Sequence, residues 1–179
     1  MKKSIFTFVL ILGVTFYSCD NQQSLQEYYV EKQQTNEFIS FDLPASIIQL
    51  NEDAGEESKE AMASLKKFNL LAFKTDESNK EMYSIEKEKV KTILKNKKYQ
   101  ELIRVKHENA NIMVKYLGSE EEIDELIVFA SDNQKGFAIA RVIGDHMKPE
   151  QMIKLINNIN KVDKDNPAFS QIKGLFGSK

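Results

Sequence analysis

The sequence predicts an α+β domain built on one mainly antiparallel β-sheet, with a C-terminal β-meander and helices packed on one face of the sheet. Four strand-like segments follow one another between residues 101 and 143, and the turns between them are short enough to allow only antiparallel pairing. Amphipathic helical stretches precede and follow this region, which suits helices lying on a sheet. The chain has 179 residues and is 41% hydrophobic, enough for the core of one domain.

The first 18 residues have the parts of an export signal. Met1, Lys2 and Lys3 form a positively charged start, and an uncharged, mostly apolar run extends from Ile5 to Tyr17. A membrane-spanning helix needs about 20 apolar residues, so this run of about 13 is short for a single-pass anchor. We therefore predict a signal peptide that is removed.

Cys19 is the only cysteine in the chain and comes directly after the apolar run and the small residue Ser18. This position is typical of a bacterial lipobox, in which the cysteine sulfur receives a lipid before cleavage. A solitary cysteine excludes an intramolecular disulfide, and two or three acyl chains are enough to hold a protein stably on a bilayer. We predict lipid attachment at Cys19. Phe16 and Tyr17 depart from the commonest lipobox, and a plain secretory signal with an incidental cysteine is the alternative.

The predicted organisation has four parts. Residues 1–18 form the lipoprotein signal peptide, residues 19–24 the lipidated tether, residues 25–162 a single α+β domain, and residues 163–179 a polar C-terminal tail.

The domain begins with a predicted helix and strand. Ser24 and Glu27 have the spacing of a capping box, which predicts a helix that extends to about Gln33. Alternating apolar side chains from Glu37 to Leu43 predict a strand, and Pro44 ends it.

Two further helices are predicted before the meander. The first starts at about Glu56, and a buried strand at Leu70–Phe73 follows it. The second runs from Lys80 to Lys97 and is rich in Glu–Lys pairs. The apolar stripe of the first helix contains Ala61, Met62, Leu65 and Phe68. Six lysines crowd the second helix and the residues just after it, and we interpret them as a solvated helix face, with a locally basic binding face as the alternative.

The meander comprises four predicted strands, which Gly144 and Asp145 bring to an end: Glu101–His107, Ile112–Leu117, Asp124–Ala130 and Phe137–Ile143. Pro149 then opens a last helix whose apolar stripe is Met152, Leu155, Ile156 and Ile159.

No catalytic constellation stands out. The two histidines, His107 and His146, lack the spacing of zinc ligands, and we expect no metal and no cofactor. The weak alternative site is Asp145, His146 and Glu150, although turn chemistry suits Asp145 better. Without the signal peptide the chain has 23 basic and 27 acidic side chains, a net charge of −4, which argues against nucleic-acid binding.

As a whole, the layout resembles a family of bacterial lipoproteins known as domain-of-unknown-function family 4252. The resemblance rests on the cysteine-terminated signal, the segment Ser64–Phe73, the pair Gly144-Asp145 at the end of the last strand, and the helix start Lys148–Met152. It implies an envelope-located lipoprotein of Gram-negative bacteria with no established activity, and it supplies no catalytic residues.

We therefore expect an exported protein that is lipid-anchored to the cell envelope, at the outer rather than the inner membrane, with the leaflet left open. The leading hypothesis is a non-catalytic module that binds an envelope protein partner or senses envelope conditions. A lipid-tethered hydrolase with a spatially assembled site is the alternative, and binding of a small apolar ligand between sheet and helices is a third.

Overall fold

The computed structural model describes residues 22–50, 52–107 and 109–162. The predicted signal peptide, Cys19, the first half of the tether and the predicted tail lie outside these residues. The described elements, in chain order, are α1 (Leu25–Lys32), β1 (Phe38–Pro44), a 3-10 helix (Ala45–Ile47), β2 (Ile48–Leu50), α2 (Glu56–Ser64), β3 (Leu65–Lys74), α3 (Lys80–Ile93), β4 (Gln100–His107), β5 (Ala110–Gly118), β6 (Ile123–Asp132), β7 (Gly136–Met147), α4 (Pro149–Asn158) and β8 (Ile159–Val162).

The capping box at the start of α1 is confirmed. The Ser24 hydroxyl accepts a hydrogen bond from the backbone N–H of Glu27 at 3.2 Å, and the Glu27 carboxylate accepts one from the backbone N–H of Ser24 at 2.7 Å. Two N–H groups that the first turn leaves without helical partners are thereby satisfied, which fixes where the helix begins.

The sheet has six strands in the order β1-β3-β7-β6-β5-β4, and every neighbouring pair is antiparallel. The predicted antiparallel sheet and meander are confirmed, because β4 to β7 are consecutive neighbours. Helix α3 connects β3 to β4, which lies at the far edge of the sheet. The meander then returns towards β3, and its last strand, β7, pairs with β3. A separate two-stranded ribbon pairs β2 with β8.

Helices cover both faces of the sheet, and the prediction that they pack on one face is wrong. Helices α1 and α3 pack on what we call the front face, with Leu71, Phe73 and Phe137. Helices α2 and α4 pack on the back face, with Leu126 and Val142. The reason lies in the central strands: in β6 consecutive apolar residues point to opposite sides, so both faces carry apolar surface that needs cover.

Three predicted boundaries are corrected. Helix α2 ends at Ser64, and Leu65 and Phe68 belong to β3 rather than to a helical stripe. Strand β7 continues through Gly144 and Asp145 to Met147. Helix α4 starts at Pro149 as predicted but ends at Asn158, and Ile159 begins β8.

Candidate functional site

Asp145 and His146 lie near the end of β7 on the surface. Their side chains are 63% and 80% exposed, and the Asp145 carboxylate lies 3.3 Å from the Lys66 ammonium. His146 Nδ1 contacts a carboxylate oxygen of Glu122, and its Nε2 lies 3.9 Å from Asp145 Oδ1. These contacts form an exposed cluster of polar and charged side chains.

The backbone of His146 gives this position a structural role. Its φ is 53°, in the left-handed region that side chains other than glycine seldom adopt. The pairing of β6 with β7 shifts register here, and the next residue, Met147, is fully buried in the back-face core. The turn of the backbone at His146 thus belongs to the irregular end of β7.

Glu150 lies in the first turn of α4 and lines an open cleft of about 470 Å³ beside α2 and the β5–β6 turn. The lining of that cleft includes neither Asp145 nor His146. The structure thus places Asp145 beside His146, while Glu150 belongs to the lining of the neighbouring cleft. Within the residues described, no group of three or more His, Cys, Asp or Glu side chains is arranged to hold a metal ion.

A second surface, which sequence patterns did not assemble, is a groove between α3 and the β4–β5 edge of the front face. We call it the basic groove and define it by five cationic side chains: Lys87, Lys91, Lys95, Arg104 and Lys106. It consists of two adjoining clefts of about 290 and 300 Å³, which share Lys91, Arg104 and Met113.

Two local patterns build the groove. Lys87, Lys91 and Lys95 are spaced four residues apart, which places them along one side of α3 and its C-terminal extension. Arg104 and Lys106 are two residues apart in β4, so they share a face of that strand. Between these walls, Met113 and Phe129 contribute apolar lining.

Positive charge dominates the groove. Glu88 pairs with Lys91 at 2.7 Å, and Glu101 forms two hydrogen bonds with Arg104, of 3.0 and 2.6 Å. Two carboxylates therefore offset part of the charge of five cations. Burial, with a further contribution from the Lys91 charge, lowers the pKa of Lys87. A bound anion would relieve this repulsion, so the groove is suited to anionic groups.

Lys115 is a buried lysine that binds the backbone at the Lys95 end of the groove. It is 9% exposed, and its Nζ donates hydrogen bonds to the carbonyl oxygens of Leu94 at 2.6 Å and Tyr99 at 2.9 Å. Burial, followed by the nearby Arg104 charge, lowers its pKa. Sequence analysis did not single out Lys115. The sequence does contain a signal for Lys115. It lies between Met113 and Leu117 on one face of a strand, where its neighbours are apolar.

The start of the described chain lies at this same end. Gln22 donates a hydrogen bond from its side-chain amide to the carbonyl oxygen of Thr92 at 2.6 Å. The side chain of Asn96 donates one back to Gln22 at 3.5 Å, and the backbone N–H of Leu25 donates to the Tyr99 hydroxyl at 3.1 Å. Gln22 is therefore positioned beside the C-terminal end of α3.

The model of one protein family, described as Domain of unknown function (DUF4252), matches residues 28–155. The chain belongs to this family. The match includes the whole basic groove and most of the sheet of this DUF4252 domain, and it confirms the resemblance inferred from the sequence. No curated protein and no solved structure was found to match the DUF4252 chain. No helix among the residues described is long and apolar enough to cross a membrane.

Proposed function

We propose that this protein is a lipid-anchored module of the cell envelope, held on the outer membrane through Cys19, and that its DUF4252 domain binds an anionic group in the basic groove without catalysing a reaction. The observation that most supports this proposal is the position of Gln22, three residues after Cys19, at the Lys95 end of the groove. An anchor at Cys19 would hold a concentrated positive surface close to the membrane.

The signal-like N-terminus supports the anchor. A short apolar run that ends directly at the single cysteine is the arrangement that lipid attachment requires, and it also accounts for a lone thiol in an exported chain. Because the tether from Cys19 to Ser24 is short, the domain would have little freedom to move away from the bilayer.

The composition of the groove supports binding rather than catalysis. Its polar lining consists of lysines, an arginine, Glu88, Asn111, Ser131 and Asn133, around Met113 and Phe129. Cations and amides of this kind recognise an anion by charge and hydrogen bonding. The two carboxylates that contact these groups, Glu88 and Glu101, form ion pairs with Lys91 and Arg104, whereas the activation of a nucleophile requires a base beside a hydroxyl, thiol or amine that can attack.

Fractionation of bacteria that produce the chain tests the anchor. We expect the wild type in the outer-membrane fraction and the Cys19→Ala variant outside it, with an uncleaved signal or in the soluble fraction. Ser18→Ala is the matched control, because it changes the neighbouring residue, keeps it small and leaves the sulfur in place. Recovery of the Cys19→Ala variant in the same fraction as wild type would contradict the proposal.

Ligand-dependent stabilisation tests the groove. Inorganic phosphate, compared with chloride at equal ionic strength, should raise the melting temperature of the wild-type protein because a ligand that binds only the folded state stabilises it. Lys91→Gln/Arg104→Gln should lose this response, while Lys66→Gln/Lys135→Gln, at exposed sites outside the groove, should keep it. An equal response in both double variants would refute a specific anion site.

A further inference from the structure

We propose that the Lys95 end of the basic groove, together with Lys97 and Lys98, docks on the phosphate headgroups of anionic phospholipids in the bilayer that holds the protein's own lipid. The inference rests on the proposed anchor at Cys19 and specifies what the groove binds.

The length of the tether limits the distance between Cys19 and Gln22. Each residue spans at most about 3.6 Å, so the three residue steps from Cys19 to Gln22 reach about 11 Å. Gln22 is hydrogen-bonded to Thr92 and Asn96, on either side of Lys95. Acyl chains on Cys19 would therefore bring the loop that follows α3 to the level of the headgroups.

The side chains of this loop are suited to a charged surface. Lys95, Lys97 and Lys98 are exposed, and no salt bridge among the described residues involves any of them. The Lys98 ammonium lies 5.1 Å from the centre of the ring of the buried Tyr99, a cation–π contact at the surface of the core. Three exposed cations that form no salt bridge among the described residues would, beside a lipid anchor, provide the second signal that stable membrane attachment uses.

The acidic residues near this loop either form other contacts or line a different cleft. Glu27 accepts the capping hydrogen bond of Ser24, although the Lys98 charge contributes to lowering its pKa. Glu120 and Glu121 in the β5–β6 turn line the cleft beside α2 and α4, the helices of the back face. The front-face loop after α3 is therefore the positive part of this end of the molecule.

The chemistry matches phosphodiester headgroups. Lysine ammonium groups bind phosphate oxygens as mobile point charges, whereas the guanidinium fork of Arg104, further along the groove, is bound by the Glu101 carboxylate. Each lysine near an anionic leaflet contributes about fivefold to association, and salt screens the effect.

The test uses the full-length protein, purified with its own lipid and placed in lipid nanodiscs of phosphatidylcholine alone or with phosphatidylglycerol. An amine-reactive acetylating reagent is applied, and the labelling rate of each lysine is read by mass spectrometry. Lys95, Lys97 and Lys98 should react about fivefold more slowly in the anionic discs. Lys74 and Lys135, exposed at the opposite end of the sheet, should react equally in both.

A variant pair makes the test specific. In the wild type, phosphatidylglycerol should also protect Lys91, which lines the same cleft as Lys95. In Lys95→Gln/Lys97→Gln/Lys98→Gln this protection of Lys91 should disappear. In the matched control Lys74→Gln/Lys80→Gln/Lys135→Gln it should remain. High salt should abolish the protection in the wild type.

Equal labelling of Lys95, Lys97 and Lys98 in both kinds of disc would overturn the inference. It would also be overturned if inorganic phosphate protected these lysines in neutral discs as strongly as phosphatidylglycerol does, because the site would then select free phosphate. Failure of the anchor is read separately from the intact mass: a purified protein without acyl chains on Cys19 would refute the proposed function before any labelling is done.

Discussion

Lys115 donates a hydrogen bond from its ammonium group to the carbonyl oxygen of Leu94, the residue that caps the C-terminus of α3, at 2.6 Å. The carbonyl groups at a helix C-terminus lack helical partners and carry partial negative charge, so a buried cation there both satisfies and neutralises them. This contact joins strand β5 to the loop that forms the Lys95 end of the groove. The position of the groove thus depends on a lysine whose ammonium group is bound to the backbone of the loop.

Replacement of Lys115 by methionine should destabilise the protein. The carbonyl oxygens of Leu94 and Tyr99 would lose a charged donor in a buried position, at a cost of about 1–3 kcal/mol. Urea denaturation should show a lower midpoint. Lys95→Met, which removes an exposed ammonium one residue beyond Leu94, should leave the midpoint nearly unchanged; equal losses in the two variants would contradict the role assigned to Lys115.

The ion pair between Arg141 and Glu125 should behave as a buried pair. Arg141 forms two hydrogen bonds with the Glu125 carboxylate, of 2.6 and 2.8 Å, and the side chains are only 6% and 12% exposed. Arg141→Met should lower the free energy of unfolding by about 3–5 kcal/mol because it leaves a carboxylate uncompensated. Arg141→Met/Glu125→Leu should recover much of the loss. A double variant as unstable as the sum of the single ones would show that the two charges are not coupled.

Stability should fall in alkaline solution. Burial, followed by the negative charges of Asp132 and Glu88, raises the pKa of Tyr83 to about 12, and burial also raises the pKa of Tyr28. An unfolded tyrosine ionises near pH 10, so the folded state holds more protons above that pH. The stabilisation is complete below about pH 10 and is lost as the pH rises towards 12.

Urea midpoints measured across this pH range check the prediction. Tyr83→Phe should reduce the dependence of stability on pH, and the absorbance of tyrosinate should show groups that ionise only on unfolding. A midpoint that does not change between pH 9 and pH 11, about one unit on either side of the ordinary tyrosine pKa, would contradict it.

Gly136→Ala should be strongly destabilising. Gly136 begins β7 with a φ of 119°, and an added Cβ would overlap the backbone carbonyl oxygen of Phe73 in the neighbouring strand. We expect a loss of at least about 1–3 kcal/mol. Gly55→Ala is the matched control, because a Cβ there meets no atom within 4 Å and the φ is −65°. Similar melting temperatures for Gly136→Ala and wild type would contradict the steric overlap with Phe73 that we assign to a side chain at this position.

Local patterns in the sequence were enough to predict much of the fold. The Ser24–Glu27 capping box gave the start of α1, the period-two segments gave the meander, and Pro149 gave the start of α4. Each of these signals is completed within a few residues of chain.

Elements that depend on distant partners could not be predicted in the same way. Leu65 and Phe68 fit a helical stripe as well as a strand, and their pairing with the end of β7 decides between them. The placement of helices on both faces follows from apolar cover of the central strands, and β8 exists through its pairing with β2.

The basic groove illustrates the same limit for the site. The lysines of α3 have the pattern of an ordinary solvated helix face, and Arg104 and Lys106 lie in a different predicted element. Only the packing of α3 across the β4–β5 edge places the two sets opposite one another. Asp145 and His146, by contrast, are neighbours in sequence and in space, but their contacts are exposed polar contacts at the surface.

Mass spectrometry of the N-terminal peptide of the protein, purified from bacterial membranes, tests the central claim of a lipid-anchored module most directly. We predict that the mature chain starts at Cys19 and that this residue carries a diacylglyceryl group, with or without a further acyl chain on its amine. A peptide that begins elsewhere, or a Cys19 without lipid, would contradict the anchor and, with it, the placement of the basic groove at the membrane.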